Sequence, residues 1–95
     1  MIKLFDCDET AQLFAGKRVK RFVNIANIAS VATRKLHQLD SAVTLDAMKA
    51  PPGNRLEALN GDRRGQRSVR INDKWRVCFV CKADGAHNVE IADYH

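Results

Sequence analysis

Apolar residues in the first half of the chain recur with helical spacing. The short apolar start at Met1 to Phe5 predicts a strand, and Asp8-Glu9-Thr10 then marks the beginning of a helix that ends near Gly16. After a basic connector at Lys17 to Arg21, a longer helix is predicted over Ile25 to Leu39, because its apolar residues form one stripe. That stripe comprises Ile25, Ile28, Ala29, Ala32, Leu36 and Leu39, with Arg34, Lys35 and Gln38 lying off it.

The second half of the chain has the alternating pattern of strands. Pro51-Pro52-Gly53 interrupts regular structure, and beyond it the apolar residues return at every second position. This alternation predicts strands over Arg55 to Leu59 and over Arg67 to Ile71, separated by a glycine-bounded turn at residues 61–65. Asn72-Asp73 then predicts a two-residue hairpin turn into the next strand.

That next strand has two contrasting faces. One face carries Trp75, Val77, Phe79 and Cys81, and the other carries Lys74, Arg76, Cys78 and Val80. A polar turn over Ala83 to Asn88 precedes a last strand that begins with Val89 and Ile91. The order of strand, helix, helix and four strands predicts an α+β fold, with the helices packed on one face of a largely antiparallel sheet.

Length and composition favour one compact domain over residues 1–95. The chain has 95 residues, of which 45% are hydrophobic, enough for a single core. No apolar run approaches the roughly 20 residues that span a bilayer, and the start of the chain turns acidic before a signal-peptide core could form. We therefore expect a cytoplasmic protein.

The cysteines do not indicate a disulfide framework or a metal site. Their number, three, is odd. Cys78 and Cys81 have C-x-x-C spacing, but residues three apart on a strand point to opposite faces and cannot jointly hold a metal. We interpret the cysteines as structural or incidental.

Positive charge is concentrated in the sheet half of the chain. Residues 55–76 carry seven cations and three acids, a net charge of +4 out of the chain's formal +5. Arginines on one face of a sheet, with a core on the other, suit binding to a phosphate backbone. The chain then closes on Asp93-Tyr94-His95, groups that can orient or transfer protons. This combination points to RNA chemistry as well as RNA binding.

These segments resemble a known family. The stretch RLEALNGDRRGQRSVRINDKWRVCF and the terminal DYH are similar to the HigB-type branch of the RelE/ParE toxin superfamily. The resemblance implies a microbial-ribonuclease-like fold with two N-terminal helices on a four- to five-stranded sheet. It implies a toxin of a type II toxin–antitoxin pair that cleaves mRNA in the ribosomal A site without a metal or other cofactor. It also implies neutralisation by a helix-turn-helix, HigA-like antitoxin, through which the complex would bind operator DNA.

Cleavage of RNA by its own 2′-hydroxyl needs a base, cations at the phosphate and an acid for the leaving oxygen. Arg76 matches the arginine of the family's W-R-V strand, which implies a role at the scissile phosphate. His95 matches the terminal histidine, and an imidazole can donate a proton near neutral pH. Tyr94 would stack on a base or orient the reacting groups. Asp93 would orient His95 or Arg76, with a strand-end salt bridge as the alternative, and Glu57 would be the base.

Two positions depart from the family pattern. Glu57 stands where relatives have histidine in R-L-H-x-L, and Asn60 stands where they often carry lysine. These changes keep two alternatives open: a basic module that binds RNA or the ribosome without cleaving, and a gyrase-directed toxin, against which the terminal acid–base cluster argues. The residues expected to contact RNA are Arg55, Asn60, Arg63, Arg64, Arg67, Arg70 and Lys74.

Overall fold

Helices occupy the first half of the chain in the computed structural model, which describes residues 1–23, 28–42, 45–48, 54–59, 61, 65–72 and 74–93. They are α1 (Asp8–Phe14), α2 (Lys20–Val23) and α3 (Ile28–Ser41), followed by a 3-10 turn at Leu45–Met48. The two main helices, α1 and α3, were both predicted from the apolar spacing. Gly16 ends α1 as expected: its φ is +86°, a conformation that glycine adopts without strain.

The short helix α2 corrects the sequence prediction. The run from Lys17 to Arg21 was expected to be a basic connector, yet the chain makes one helical turn from Lys20. The reason is that two apolar side chains in and beside this run, Val19 and Phe22, are buried in the main core. The ring of Phe22 packs edge-on against Trp75, with 6.2 Å between their centroids.

Helix α3 buries its predicted stripe and one residue more. Ile28, Ala32, Leu36 and Leu39 are all buried, as the spacing predicted; Ile25 lies outside the described residues. Lys35 was expected to lie off the stripe, but only 5% of its surface is exposed. The prediction was wrong because the Lys35 ammonium finds a buried hydrogen-bond partner in Asn54.

The second half of the chain forms an antiparallel sheet with the order β1-β2-β3-β4. The strands are β1 (Glu57–Ala58), β2 (Arg67–Arg70), β3 (Trp75–Lys82) and β4 (Gly85–Asp93). Val69 pairs with Val77, and Val77 pairs with Ile91. These three buried side chains belong to the same core as the stripe of α3. The α+β arrangement predicted from the sequence is therefore confirmed.

Two turns differ from the prediction. β2 ends at Arg70 and β3 begins at Trp75, so the predicted two-residue turn is wider; its Asp73 lies outside the described residues. Asn72 Oδ1 accepts the backbone N–H groups of Lys74 and Trp75, both at 2.9 Å, which stabilises the wider turn. In the second case, the polar segment from Ala83 was expected to be a turn, but β4 already begins at Gly85.

A bulge lets this early part of β4 pair with the start of the chain. The register shifts between Cys78 and Val80, and opposite this shift Asn88 has a φ of +56°. The strand predicted over Met1 to Phe5 does not form; this segment instead makes two isolated parallel bridges to β4, Ile2 with Ala86 and Phe5 with Val89. None of the helices in the described residues has the length and apolar character needed to cross a membrane.

Candidate active site

The sheet face opposite the helices gathers polar residues from all four strands. Paired residues of antiparallel strands share a face, and the register aligns Glu57, Ser68, Cys78 and Glu90 in one row. The adjacent row on the same face contains Arg70, Arg76 and Ala92. The strand alternation therefore brings Glu57, Arg70 and Arg76, three of the predicted site residues, to one surface.

Arg76 is the best-anchored member of this surface. Its Nε donates to Ser68 Oγ at 2.6 Å, and its Nη2 donates to the backbone oxygen of Arg55 at 2.7 Å. A longer contact of 3.5 Å joins Nη2 to the backbone oxygen of Ser68. Arg76 was predicted on the face opposite Trp75 and Val77, and it lies on that face with only 8% of its surface exposed.

The guanidinium keeps donors for a further partner. Within the described part of the chain, the hydrogen bonds of Arg76 use Nε and Nη2, and none uses Nη1. The carboxylate Oε2 of Glu57 lies 3.8 Å from Nη2, and the Glu57 side chain is 56% exposed. The candidate acid–base group and the candidate phosphate-binding group therefore lie side by side, and the carboxylate is open to solvent.

The segment that supplies the Arg55 carbonyl has an unusual backbone. Arg55 has a φ of +44°, in the left-handed region that side chains other than glycine adopt at a cost. Directly before it, Asn54 is fully buried and contacts the ammonium of Lys35. Asn54 Nδ2 donates to the backbone oxygen of Met48 at 3.1 Å. A buried polar cluster thus lies next to the carbonyl that holds Arg76.

The surroundings of Lys35 disfavour its charged form. Burial lowers the pKa of its ammonium below the usual value for lysine, and the positive charges of Arg34 and Arg70 lower it further. A buried ammonium without a partner would be strongly unfavourable. The contact with Asn54 satisfies it.

The remaining predicted cations within the described residues are spread over both sides of the sheet. Arg70 pairs directly with Arg76. Arg67 pairs with Phe79, which belongs to the buried core, so the Arg67 side chain leaves its strand on the helix-facing side of the sheet. Lys74 is exposed at the beginning of β3, and its Nζ lies 3.6 Å from Asp93 Oδ2.

Asp93 has two features relevant to the predicted site. It pairs with Trp75 in the register, one position before Arg76, and its carboxylate forms the strand-end salt bridge that the sequence left open as an alternative. Because β3 and β4 are antiparallel, the end of β4 lies beside the beginning of β3, where Arg76 is found. Asp93 and Arg76 therefore share one end of the sheet while their side chains start from opposite faces.

Five predicted site residues lie outside the described residues. They are Asn60, Arg63, Arg64, Tyr94 and His95. Their roles remain predictions.

Sequence reasoning missed the groups that hold Arg76. Ser68 was not singled out within its predicted strand, and Arg55 was expected to contact RNA, whereas its backbone oxygen holds Arg76. Lys35 was placed off the apolar stripe and given no role, and Asn54 was not considered. Nothing in the sequence distinguishes a lysine between apolar positions of a helix, or an asparagine after Pro-Pro-Gly. Their contact is evident only in the folded structure.

The two cysteines of β3 occupy different environments. Cys78 is buried in a small cluster with Leu59 and Ala92 on the Arg76 face. Cys81 is exposed and lines a pocket with Phe79 and other residues. No group of three or more His, Cys, Asp or Glu side chains among the described residues could hold a metal ion.

That pocket is separate from the candidate active site. Its volume is about 310 Å³, and it lies between the end of α3 and the β3–β4 turn, lined by Leu39, Lys82 and Asp84 among others. At roughly 3.3 Å per residue along β3, Lys82 is about 20 Å from Arg76. Beside the pocket, a 2.7 Å hydrogen bond from His87 lowers the pKa of the exposed Asp84 carboxyl.

Comparison with known proteins adds the family. A family model described as the RelE-like toxin of the type II toxin–antitoxin system HigB matches residues 3–95. Toxin HigB-1 of Vibrio cholerae serotype O1 is 39% identical over 54 residues, which are 57% of this chain and 57% of that protein. The aligned part thus spans somewhat more than half the length of that relative.

Proposed function

Since this chain belongs to the HigB-like family of RelE-like type II toxins, we propose that it is an endoribonuclease that inhibits translation by cleaving mRNA on the ribosome. A type II toxin has a cognate antitoxin as its partner. The proposed reaction is attack of an RNA 2′-hydroxyl on the neighbouring phosphate, with no metal in the mechanism. The observation that carries the proposal is the anchored guanidinium of Arg76 beside the Glu57 carboxylate.

Arg76 would stabilise the charge that builds on the phosphate during attack. Its Nε and Nη2 are held by Ser68 and Arg55 at 2.6 and 2.7 Å. A guanidinium fixed before the substrate arrives needs no reorganisation when the transition state forms, which is where electrostatic catalysis gains most. Its Nη1, unused among the described contacts, would face the phosphate oxygens.

Proton transfer would fall to groups on either side of the phosphate. Glu57 is solvent-open and 3.8 Å from Arg76 Nη2, so it could take the 2′-hydroxyl proton when the phosphate docks on Arg76. His95 would protonate the leaving 5′-oxygen, since an imidazole titrates near neutral pH. Tyr94 would stack on a base or orient these groups, and Asp93 would anchor the end of β4 through Lys74 while the terminal residues act.

The basic stretch of the second half would hold RNA around the scissile bond. Arg70 lies beside Arg76 in the sheet, and Arg55 is exposed next to it. With Asn60, Arg63, Arg64, Arg67 and Lys74, these residues would contact the phosphates of mRNA or rRNA, which makes binding strongly salt-dependent. The antitoxin would be a HigA-like helix-turn-helix protein that also carries the complex to operator DNA.

Primer extension on a translated mRNA tests this proposal. The wild type, Arg76→Lys and a form lacking His95 would be induced briefly, with Lys82→Ala, which removes an exposed cation at the far end of β3, as the control. We expect translation-dependent cuts with the wild type and the control. Arg76→Lys keeps the charge but loses the fork geometry, and the cuts should fall about 100- to 1,000-fold, the usual effect of losing one preorganised donor.

The other outcomes identify the alternatives. Growth arrest with intact mRNA, equal in wild type and Arg76→Lys, would overturn the nuclease proposal in favour of a basic module that blocks translation. DNA damage that precedes any loss of mRNA would point to a gyrase-directed toxin. Capture of each variant by the cognate antitoxin would verify that the variants are folded.

A further inference from the structure

We propose that Lys35 and Asn54 are positioning residues for the reaction, because they fix the backbone turn that presents the Arg55 carbonyl to Arg76. The expected change in cleavage rate rests on the proposed function, whereas the expected change in how Arg76 is held does not. Three links connect α3 to the active-site surface: the Lys35–Asn54 contact, the peptide bond from Asn54 to Arg55, and the hydrogen bond from Arg76 Nη2 to the Arg55 oxygen.

The first link is a hydrogen-bonded polar contact in the protein interior. Lys35 and Asn54 are 5% and 0% exposed. Asn54 accepts from Lys35 through Oδ1 and donates through Nδ2 to the Met48 oxygen at 3.1 Å, with a longer 3.5 Å contact to Gln38 Oε1. Among the described residues, no buried side-chain nitrogen or oxygen lacks a hydrogen-bond partner. Asn54 is therefore held from both ends of its amide.

The second link is a strained backbone. Arg55 has a φ of +44°, and a side-chain-bearing residue persists in this region only where its surroundings hold it. On one side of Arg55 lies the clamped Asn54. On the other side Leu56 packs against the core and Glu57 pairs with Ser68. The turn directs the Arg55 oxygen to Nη2 of Arg76, 2.7 Å away.

Stability alone does not explain a lysine at this position. The neighbours of Lys35 on the stripe are apolar, and burying an ammonium carries a desolvation penalty that the lowered pKa of Lys35 reflects. Replacing both partners of a buried ionic or polar contact by apolar side chains of similar size is often neutral or stabilising, so stability does not require this pair. The ammonium contributes a directional hydrogen bond, which holds Asn54 and the start of the turn in one position. An apolar side chain would fill the space without this effect.

The decisive variant is Lys35→Met, which keeps the length and apolar packing of the side chain. Arg34→Met is the matched control, since Arg34 is an exposed cation on the same helix. We expect Lys35→Met to remain folded with a somewhat lower melting temperature, because Asn54 Oδ1 loses its donor, and to cleave about tenfold more slowly at saturating substrate with an unchanged KM. Arg34→Met should cleave like the wild type.

The arginine side-chain NMR signals of the isotope-labelled protein give a readout that does not depend on cleavage. The Arg76 signals are assigned by their loss in Arg76→Lys. In the wild type, the Nη2 hydrogens of Arg76 should be resolved, because the Arg55 oxygen restricts rotation of that group. They should merge with the Nη1 signals in Lys35→Met and stay resolved in Arg34→Met.

Two further variants address Asn54 itself, and they decide the matter if Lys35→Met does not fold. Asn54→Ala removes the contact with Lys35 and should release Arg76. Asn54→Asp keeps the acceptor for Lys35 and should retain the resolved signals. An Arg76 that stays fixed in Lys35→Met or Asn54→Ala, or full cleavage by either, would overturn the inference. A wild type with a fixed Arg76 but no cleavage would instead refute the proposed function and leave the structural link intact.

Discussion

Removal of one oxygen atom, in Ser68→Ala, tests how Arg76 is held. Ser68 is fully buried on β2, and its Oγ accepts from Arg76 Nε at 2.6 Å. Ser68 has no proposed role in the chemistry, so this variant tests the hydrogen bond to Arg76 alone. Alanine fits the same space and removes only the acceptor.

The size of the effect follows from the burial of both partners. A buried donor left without its acceptor costs about 1–3 kcal/mol, with charged donors toward the upper end. Two contacts of Nη2 remain, to the backbone oxygens of Arg55 and Ser68. We therefore expect the free energy of unfolding to fall by about 2 kcal/mol. For a domain of this size, about 2 kcal/mol corresponds to a fall in melting temperature of roughly 8–16 °C.

Urea and thermal unfolding would measure this loss, with Ser30→Ala as the control. Ser30 is an exposed serine on α3, and its replacement should change stability by less than about 0.5 kcal/mol. The same proteins would be compared in the cleavage assay. We expect Ser68→Ala to cleave about tenfold more slowly, because Arg76 then samples other orientations.

Equal stability of Ser68→Ala and the wild type would refute the view that this hydrogen bond anchors Arg76. A clear loss of stability with full cleavage would refute a different step: Ser68 would support the fold, and the orientation of Arg76 would not depend on it.

Three further results are expected. Glu57→Gln should reduce cleavage about 100-fold or more in single-turnover assays, because it removes the proposed base, while changing the melting temperature little, because the Glu57 carboxylate is largely exposed. The free energy of unfolding of the wild type, measured by urea unfolding, should rise relative to that of Lys35→Met between about pH 8 and pH 10. Because the pKa of Lys35 is lowered in the folded state, the unfolded state binds the ammonium proton more tightly and is disfavoured as the pH rises. Gly85→Ala should destabilise the protein by about 1–3 kcal/mol in thermal unfolding, because a Cβ there would clash with the Met1 backbone oxygen. Unchanged stability would contradict the 2.9 Å hydrogen bond from the Ala86 N–H to that oxygen.

The sequence predicted the elements that depend on local periodicity and missed those that depend on distant partners. The stripe of α3 and the alternation of β3 are local patterns, and both were found. Lys35 broke the pattern because its partner, Asn54, is 19 residues away. The early start of β4 at Gly85 also has a distant cause: the chain's first residues, which pair with it in parallel, are more than 80 residues away in sequence.

In the candidate site, too, local patterns were predicted from the sequence and nonlocal contacts were missed. Strand alternation predicted that Arg76 lies on the face opposite the core, and the family resemblance singled it out among the arginines. Its burial could not be predicted, because Ser68 and the Arg55 oxygen come from other segments, 8 and 21 residues away. Side-chain chemistry indicates what a residue can do, whereas its orientation is set by these nonlocal contacts.

The partners of Arg76 also bear on the choice between a structural and a functional arginine. A buried arginine that serves only the fold is usually neutralised by a carboxylate at close range. Here the close partners, at 2.6 and 2.7 Å, are a hydroxyl and a backbone carbonyl. Among the described residues, the carboxylate that contacts Arg76 is Glu57, which is 3.8 Å away and largely in solvent. Neutral oxygens fix the geometry of the guanidinium without cancelling its charge, and an oriented, uncancelled charge is what a scissile phosphate requires.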